Sequence, residues 1–112
     1  MPLITVTDES FASLVLAAEL PVVLDFWAEW CPPCRPMAQA LTELAPEFEG
    51  RLLIGKLNAD ENPSTTRAYR VMSMPTLVFF TGGVQTGALV GSRPKSVLRA
   101  ALSNAVAPYV NR

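Results

Sequence analysis

The sequence predicts an α/β domain, a central mixed sheet with helices on both faces. Three observations point there. β-rich runs alternate with segments of helical period along the chain. One of those runs, PVVLDFW at residues 21–27, is almost continuously apolar with β-branched and aromatic members, the pattern of a strand buried on both faces in a parallel sheet. Two later runs flank Thr81-Gly82-Gly83, where glycines supply the positive φ angles of a hairpin turn, so those two strands are antiparallel.

The elements follow in order. PLITVT, residues 2–7, is a short β-rich run. Thr7 and Asp8 offer an N-cap to a helix whose Phe11, Leu14, Val15 and Ala18 fall on one face and which stops before Pro21. The buried strand comes next and ends at the cysteines. Beyond them Met37, Leu41, Leu44, Ala45 and Phe48 recur at helical spacing up to Gly50, with Pro46 expected to bend or end the helix. RLLIGKLN is a strand, and NPSTTRAY a short helix with Asn62 as N-cap and Pro63 at its first position. TLVFF and VQTGALV form the hairpin. A last amphipathic helix starts near Pro94 and turns Val97, Leu98, Ala101, Leu102 and Ala105 toward the sheet. The order βαβαβαββα fits one domain over residues 1–112, with a short tail from about 107 to 112.

Length and charge narrow the function. A chain of 112 residues, half of them apolar, can bury roughly two-thirds of its unfolded surface and needs no staples. Nine Lys and Arg against ten Asp and Glu leave a net charge of −1 and no basic stripe, which argues against a nucleic-acid partner. The N-terminal MPLITVTDES has no cationic start or long apolar run, and no uncharged apolar stretch approaches membrane-spanning length. A cytoplasmic protein without a membrane partner is expected.

The stretch FWAEWCPPCRPM, residues 26–37, holds both cysteines of the chain. A structural zinc site wants four Cys or His ligands, and two Cys with no His supply half of one, so no metal is expected. A purely structural disulfide would restrain the unfolded chain little, because the loop it closes is so short, and a reducing cytoplasm would hold it open. What remains is a redox pair cycling between dithiol and disulfide. It stands where a buried strand hands over to a helix, so Cys31 is expected at or just before the helix N-terminus, where unpaired N–H groups and the helix dipole favour a thiolate.

These residues carry a resemblance. DFWAEWC and the PC that follows, KLNAD and NP within residues 56–63, MPT at 74–76, the glycine turn and Gly91 together resemble the thioredoxin family over nearly the whole chain. A lone CxxC is a weak signal; CxxC after such a strand, with Pro-Thr about forty residues on, is a specific one. The resemblance implies a thioredoxin fold, five strands in the order 1-3-2-4-5 with four helices. It implies a protein disulfide reductase that needs no bound cofactor, acts as a monomer on disulfide-containing target proteins and is recharged by a thioredoxin reductase. It makes Cys31, the more exposed thiol, the nucleophile, and Cys34, one turn deeper, the resolving cysteine.

Resolution needs a base, and with no histidine Asp25 is what the sequence offers. Read alone, an Asp in a strand commonly faces water at the strand's end. Between Leu24 and Phe26 in a buried strand, however, desolvation raises its pKa, and the family places an acid behind the second cysteine. Lys56 read alone is a solvated charge; the resemblance makes it a secondary modulator of Asp25. Pro75 read alone merely opens TLVFF, whereas the matching family proline is cis, faces the redox pair and leaves the backbone of Met74 free to pair with an extended substrate. Trp30 is expected to shape the docking surface, Trp27 to be core, and Gly91 to allow close approach of a partner's backbone.

Four departures from the family pattern stand out. Pro32 replaces the usual glycine, so Pro32 and Pro33 together tune the redox loop; Gln39 replaces a helix-kinking proline while Pro36 and Pro46 appear nearby. Met72 stands where a basic residue is common and Ser73 where glycine is, which with Met74 makes a softer, more apolar rim. Two competing functions use the same fold: a thiol oxidase or isomerase, which wants an oxidising compartment, and an adaptor independent of redox chemistry.

Overall fold

The computed structural model describes residues 3–110. Its strands are β1 (Ile4–Thr5), β2 (Val22–Trp27), β3 (Leu53–Asn58), β4 (Thr76–Thr81) and β5 (Val84–Val90), and its longer helices α1 (Cys34–Leu44), α2 (Pro63–Ala68) and α3 (Lys95–Val110). The strands form one sheet in the order β1-β3-β2-β4-β5. β3 runs parallel to β1 and β2, while β4 is antiparallel to both β2 and β5. Gly82 at φ 60° and Gly83 at φ 81° make the hairpin turn, both in the region that side chains resist.

Alternation along β2 divides the core. Val22, Leu24 and Phe26 join Val6, Phe11, Val15 and Phe80 on one face of the sheet, whereas Val23 joins Met37, Leu41, Leu44, Leu98 and Leu102 beneath α1 and α3 on the other. Each fully buried leucine here contributes roughly 1.5–3 kcal/mol. Two exposed ion pairs, Glu43 with Lys95 at 2.9 Å and Glu47 with Arg99 at 2.8 Å, tie α1 and its extension to α3. By the same alternation Asp25 and Trp27 share the face of Val23, and in β3 Lys56 shares the face of Ile54.

Several expectations shift. The first strand is shorter than residues 2–7, and Pro2 lies outside the described residues. The first helix is a π-helical segment, Ala12–Leu16, in which the Ala17 N–H donates to the Ala12 carbonyl five residues back. That wider winding buries Phe11 and Val15 and leaves Leu14 38% exposed, outside the face expected for it. Pro46 does end α1, whose chain tightens into a 3-10 turn over Ala45–Phe48. On α3 the buried stripe is Leu98, Leu102 and Val106, spaced by four, so Val97 lies off it at 42% exposure. The helix continues to Val110 where a tail was expected from about 107; residues 111–112 lie outside the described residues.

Asn62 occupies the N-cap of α2 without capping it through its side chain. The cap comes from Asp8, whose carboxylate accepts the Ser64 N–H at 3.1 Å and the Thr65 N–H at 2.8 Å. Asn62 accepts the Asp8 N–H at 2.8 Å in return. Thr7 closes its own turn instead, its hydroxyl accepting the Ser10 N–H at 3.2 Å.

Candidate active site

β2 ends at Trp27, and the chain crosses a short loop before α1 begins at Cys34. Cys31 and Cys34 are joined by a disulfide, with Cα atoms 5.4 Å apart. The loop is poor in donors. Pro32, Pro33 and Pro36 have no N–H, and the N–H groups of Cys34 and Arg35 donate back to the carbonyls of Cys31 at 3.1 Å and Pro32 at 3.4 Å. Cys31 thus precedes the helix by three residues and finds fewer free N–H groups than a helix N-terminus ordinarily offers. The exposure expected of Cys31 is also absent in this disulfide form: Cys31 is 2% and Cys34 3% exposed, because Trp27, Ala28 and Met74 pack around the pair.

Behind Cys34 lies Asp25, with no exposed surface and no hydrogen-bond partner for either carboxylate oxygen. The β2–β3 register sets Lys56 beside it. Asp25, Lys56, Trp27 and Cys34 line one cavity of about 150 Å³, with Glu29 and Arg35 also on its wall. Burial pushes the Asp25 carboxyl up to about 7, and the Lys56 charge pulls the other way.

In front of the pair the Met74–Pro75 bond is cis. The Met74 carbonyl oxygen lies 3.5 Å from Cys31 Sγ. Gly91, at φ 91°, donates its N–H to the Pro75 carbonyl at 2.8 Å, which brings it from the far end of β5 to the rim of the site. Ser73 is held too, its carbonyl accepting the Thr76 hydroxyl at 2.6 Å. Met72 is 90% exposed and Trp30 63%. Trp30 donates its indole N–H to Asp60 at 2.8 Å. Asp60 escaped the sequence reading. It lies thirty residues from Trp30, and no local pattern links them; its position is set by Asn58, whose side-chain carbonyl accepts the Asp60 N–H at 3.0 Å.

The thioredoxin family model matches residues 2–104, around a disulfide, a buried acid and a cis-proline arranged in this way. The chain belongs to the thioredoxin family. Among curated relatives, thioredoxin of Synechocystis is 46% identical over 97 residues, covering 87% of this chain and 91% of the relative. Thioredoxin of Streptomyces clavuligerus is 50% identical over 93 residues, 83% of this chain and 86% of the relative. Chloroplastic thioredoxin M-type of spinach is 40% identical over 103 residues, 92% of this chain and 57% of the relative. The chain is accordingly a thioredoxin-like thiol-disulfide oxidoreductase that reduces protein disulfides, with disulfide-containing targets and a reductase as partners in general. Among the described residues no helix is long and apolar enough to cross a membrane. None of their His, Cys, Asp and Glu side chains form a group able to hold a metal ion.

Proposed function

We propose that Cys31 and Cys34 divide this thioredoxin chemistry between them, with Asp25 as the base of the second step. The Cys31 thiolate attacks one sulfur of a target disulfide; a Cys31–target bond forms, and the other target sulfur leaves as a thiolate that takes a proton. Cys34 then gives its proton to Asp25 and attacks Cys31 Sγ, closing the Cys31–Cys34 bond and releasing the second target thiol. Two electrons pass from the protein to the target. Lys56 moderates the acid, and the Met74 backbone pairs with the extended target segment beside Pro75, while Trp30 and Gly91 shape the rim.

The observation that carries this reading is the carboxyl of Asp25, buried without a partner in a cavity it shares with Cys34. A group that costs stability where it sits calls for a function. The donor-poor Pro-Pro loop favours a reductant over an oxidase, because strong oxidants of this kind depend on a stabilised reduced form. A cytoplasmic monomer carrying electrons from a flavoprotein thioredoxin reductase is the setting proposed, since a reducing compartment keeps the pair cycling. The net charge of −1 gives no reason to add a nucleic-acid partner. Reduction of insulin disulfides, followed with NADPH and thioredoxin reductase, tests reaction and recharging together. Turnover is expected; retention of that turnover after Cys31→Ser would exclude the assignment.

A further inference from the structure

Helix α2 closes with an arginine where its backbone calls for glycine. The Val71 N–H donates to the Thr66 carbonyl at 3.0 Å and the Arg70 N–H to the Arg67 carbonyl at 3.1 Å, the paired bonds of a helix that ends on a left-handed residue. That residue is Arg70, at φ 54°, the one non-glycine with positive φ among the described residues. A side chain costs stability there that glycine would not. Strain retained beside a site points toward function.

Its surroundings indicate which. A groove of about 430 Å³ is lined by Ala59, Pro63, Val71 and Met72 together with Arg67 and Arg70. Neither arginine lies within ion-pair distance of a carboxylate among the described residues. Arg67 has the Asp8 charge in its field, whereas Arg70 is fully available. The chain itself links the groove to the redox pair. From Arg70 the chain runs through the exposed Met72 to Met74, whose carbonyl touches Cys31 Sγ, a span of at most about 14 Å.

We propose that this groove receives carboxylate side chains of the target segment, so that the protein favours disulfides flanked by Asp or Glu roughly four residues from the reacting cysteine. The proposal rests on the reading that an extended target pairs along Met74. A guanidinium forks onto a carboxylate through two parallel N–H bonds, and the apolar Val71 and Met72 give the target's own methylenes a surface to cover. Arg70 therefore determines specificity and takes no part in the sulfur chemistry.

The test uses three synthetic peptides of one scaffold, each closed by a single disulfide, with Glu, Gln or Lys three to five residues outside the cysteines on both sides. Wild type is expected to reduce the Glu peptide about fivefold faster in kcat/KM than the Lys peptide at low ionic strength, with the ratio falling toward one in high salt. In Arg70→Gly, where glycine fits the left-handed backbone, and in Arg67→Gln, the ratio is expected to shrink at low salt. A ratio of one in wild type, or a ratio unchanged in both variants, would overturn the proposal. If wild type fails to reduce even the Gln peptide, the reductase reading itself falls and this inference with it.

Discussion

Behind the Cys31–Cys34 bond lie two charged side chains on neighbouring strands, Asp25 and Lys56; in front of it lie Trp30, Met74 and Pro75, none of them charged. The back carries an acid with no exposed surface and no partner, while the front carries the exposed Trp30 and is held by hydrogen bonds to the carbonyls of Ser73 and Pro75. The difference assigns labour. Desolvation behind Cys34 raises the Asp25 carboxyl to about 7, which suits the proton-accepting role proposed for it. The exposed Trp30 in front suits the docking role proposed for that side.

The largest expected effect divides the two sides at the disulfide itself. Cys34→Ser is expected to abolish turnover while preserving attack, so a mixed disulfide between Cys31 and a target accumulates and shows by mass on a non-reducing gel. No trapped adduct in that variant would remove the distinction between front and back.

Asp25→Asn comes next. Resolution of a preformed mixed disulfide is expected to slow about tenfold or more, with the first attack nearly intact. Stability moves in the opposite direction. Because burial raises the folded pKa to about 7 from 3.8, the native state holds a proton that the unfolded chain has lost between those values, and stability falls as pH rises through that window. Below about pH 4 both states are protonated and the group is neutral in its effect; above pH 7 the full cost, of order 4 kcal/mol, is present. Denaturant unfolding at pH 4 and pH 8 is expected to show Asp25→Asn gaining on wild type only at the higher pH. An unchanged pH slope would show that the acid is not desolvated.

Pro32→Gly acts on the loop between the two sides. It adds an N–H near Cys31, favours the reduced thiolate and is expected to raise the potential by no more than about 30 mV, or 1.4 kcal/mol for two electrons. Equilibration against a defined thiol buffer measures it. A wild-type potential above about −200 mV would favour the oxidase reading over the reductase one. Smallest is Trp30→Ala, expected to raise KM for a protein disulfide about threefold through lost contact area, with the resolution rate unchanged. A slower resolution step in that variant would blur the comparison.

Legibility followed distance along the chain. The strands and the α1 stripe of Met37, Leu41, Leu44 and Phe48 were readable because hydrophobic period is a local signal. The π-helical winding at Ala12–Leu16 and the register of α3, which favours Val106 over Val97, were not, because neighbours on the sheet select the buried face. The site divides in the same way. Two cysteines and an acid in a buried strand were visible, but the burial of Cys31 depends on Met74, forty-three residues away, and the anchoring of Trp30 on Asp60.

By itself the sequence determined the order of strands and helices, the strand-to-helix placement of the redox pair and the two faces of β2, since propensity, turn chemistry and alternation act between near neighbours. Only the tertiary structure decided that Asp8 caps a helix more than fifty residues on, that Asp25 and Cys34 share one cavity, and that Arg70 stands left-handed on the path to Met74. The physical reason is that hydrogen-bond satisfaction and desolvation are properties of a completed enclosure, whose walls come from segments with no local signal of their meeting.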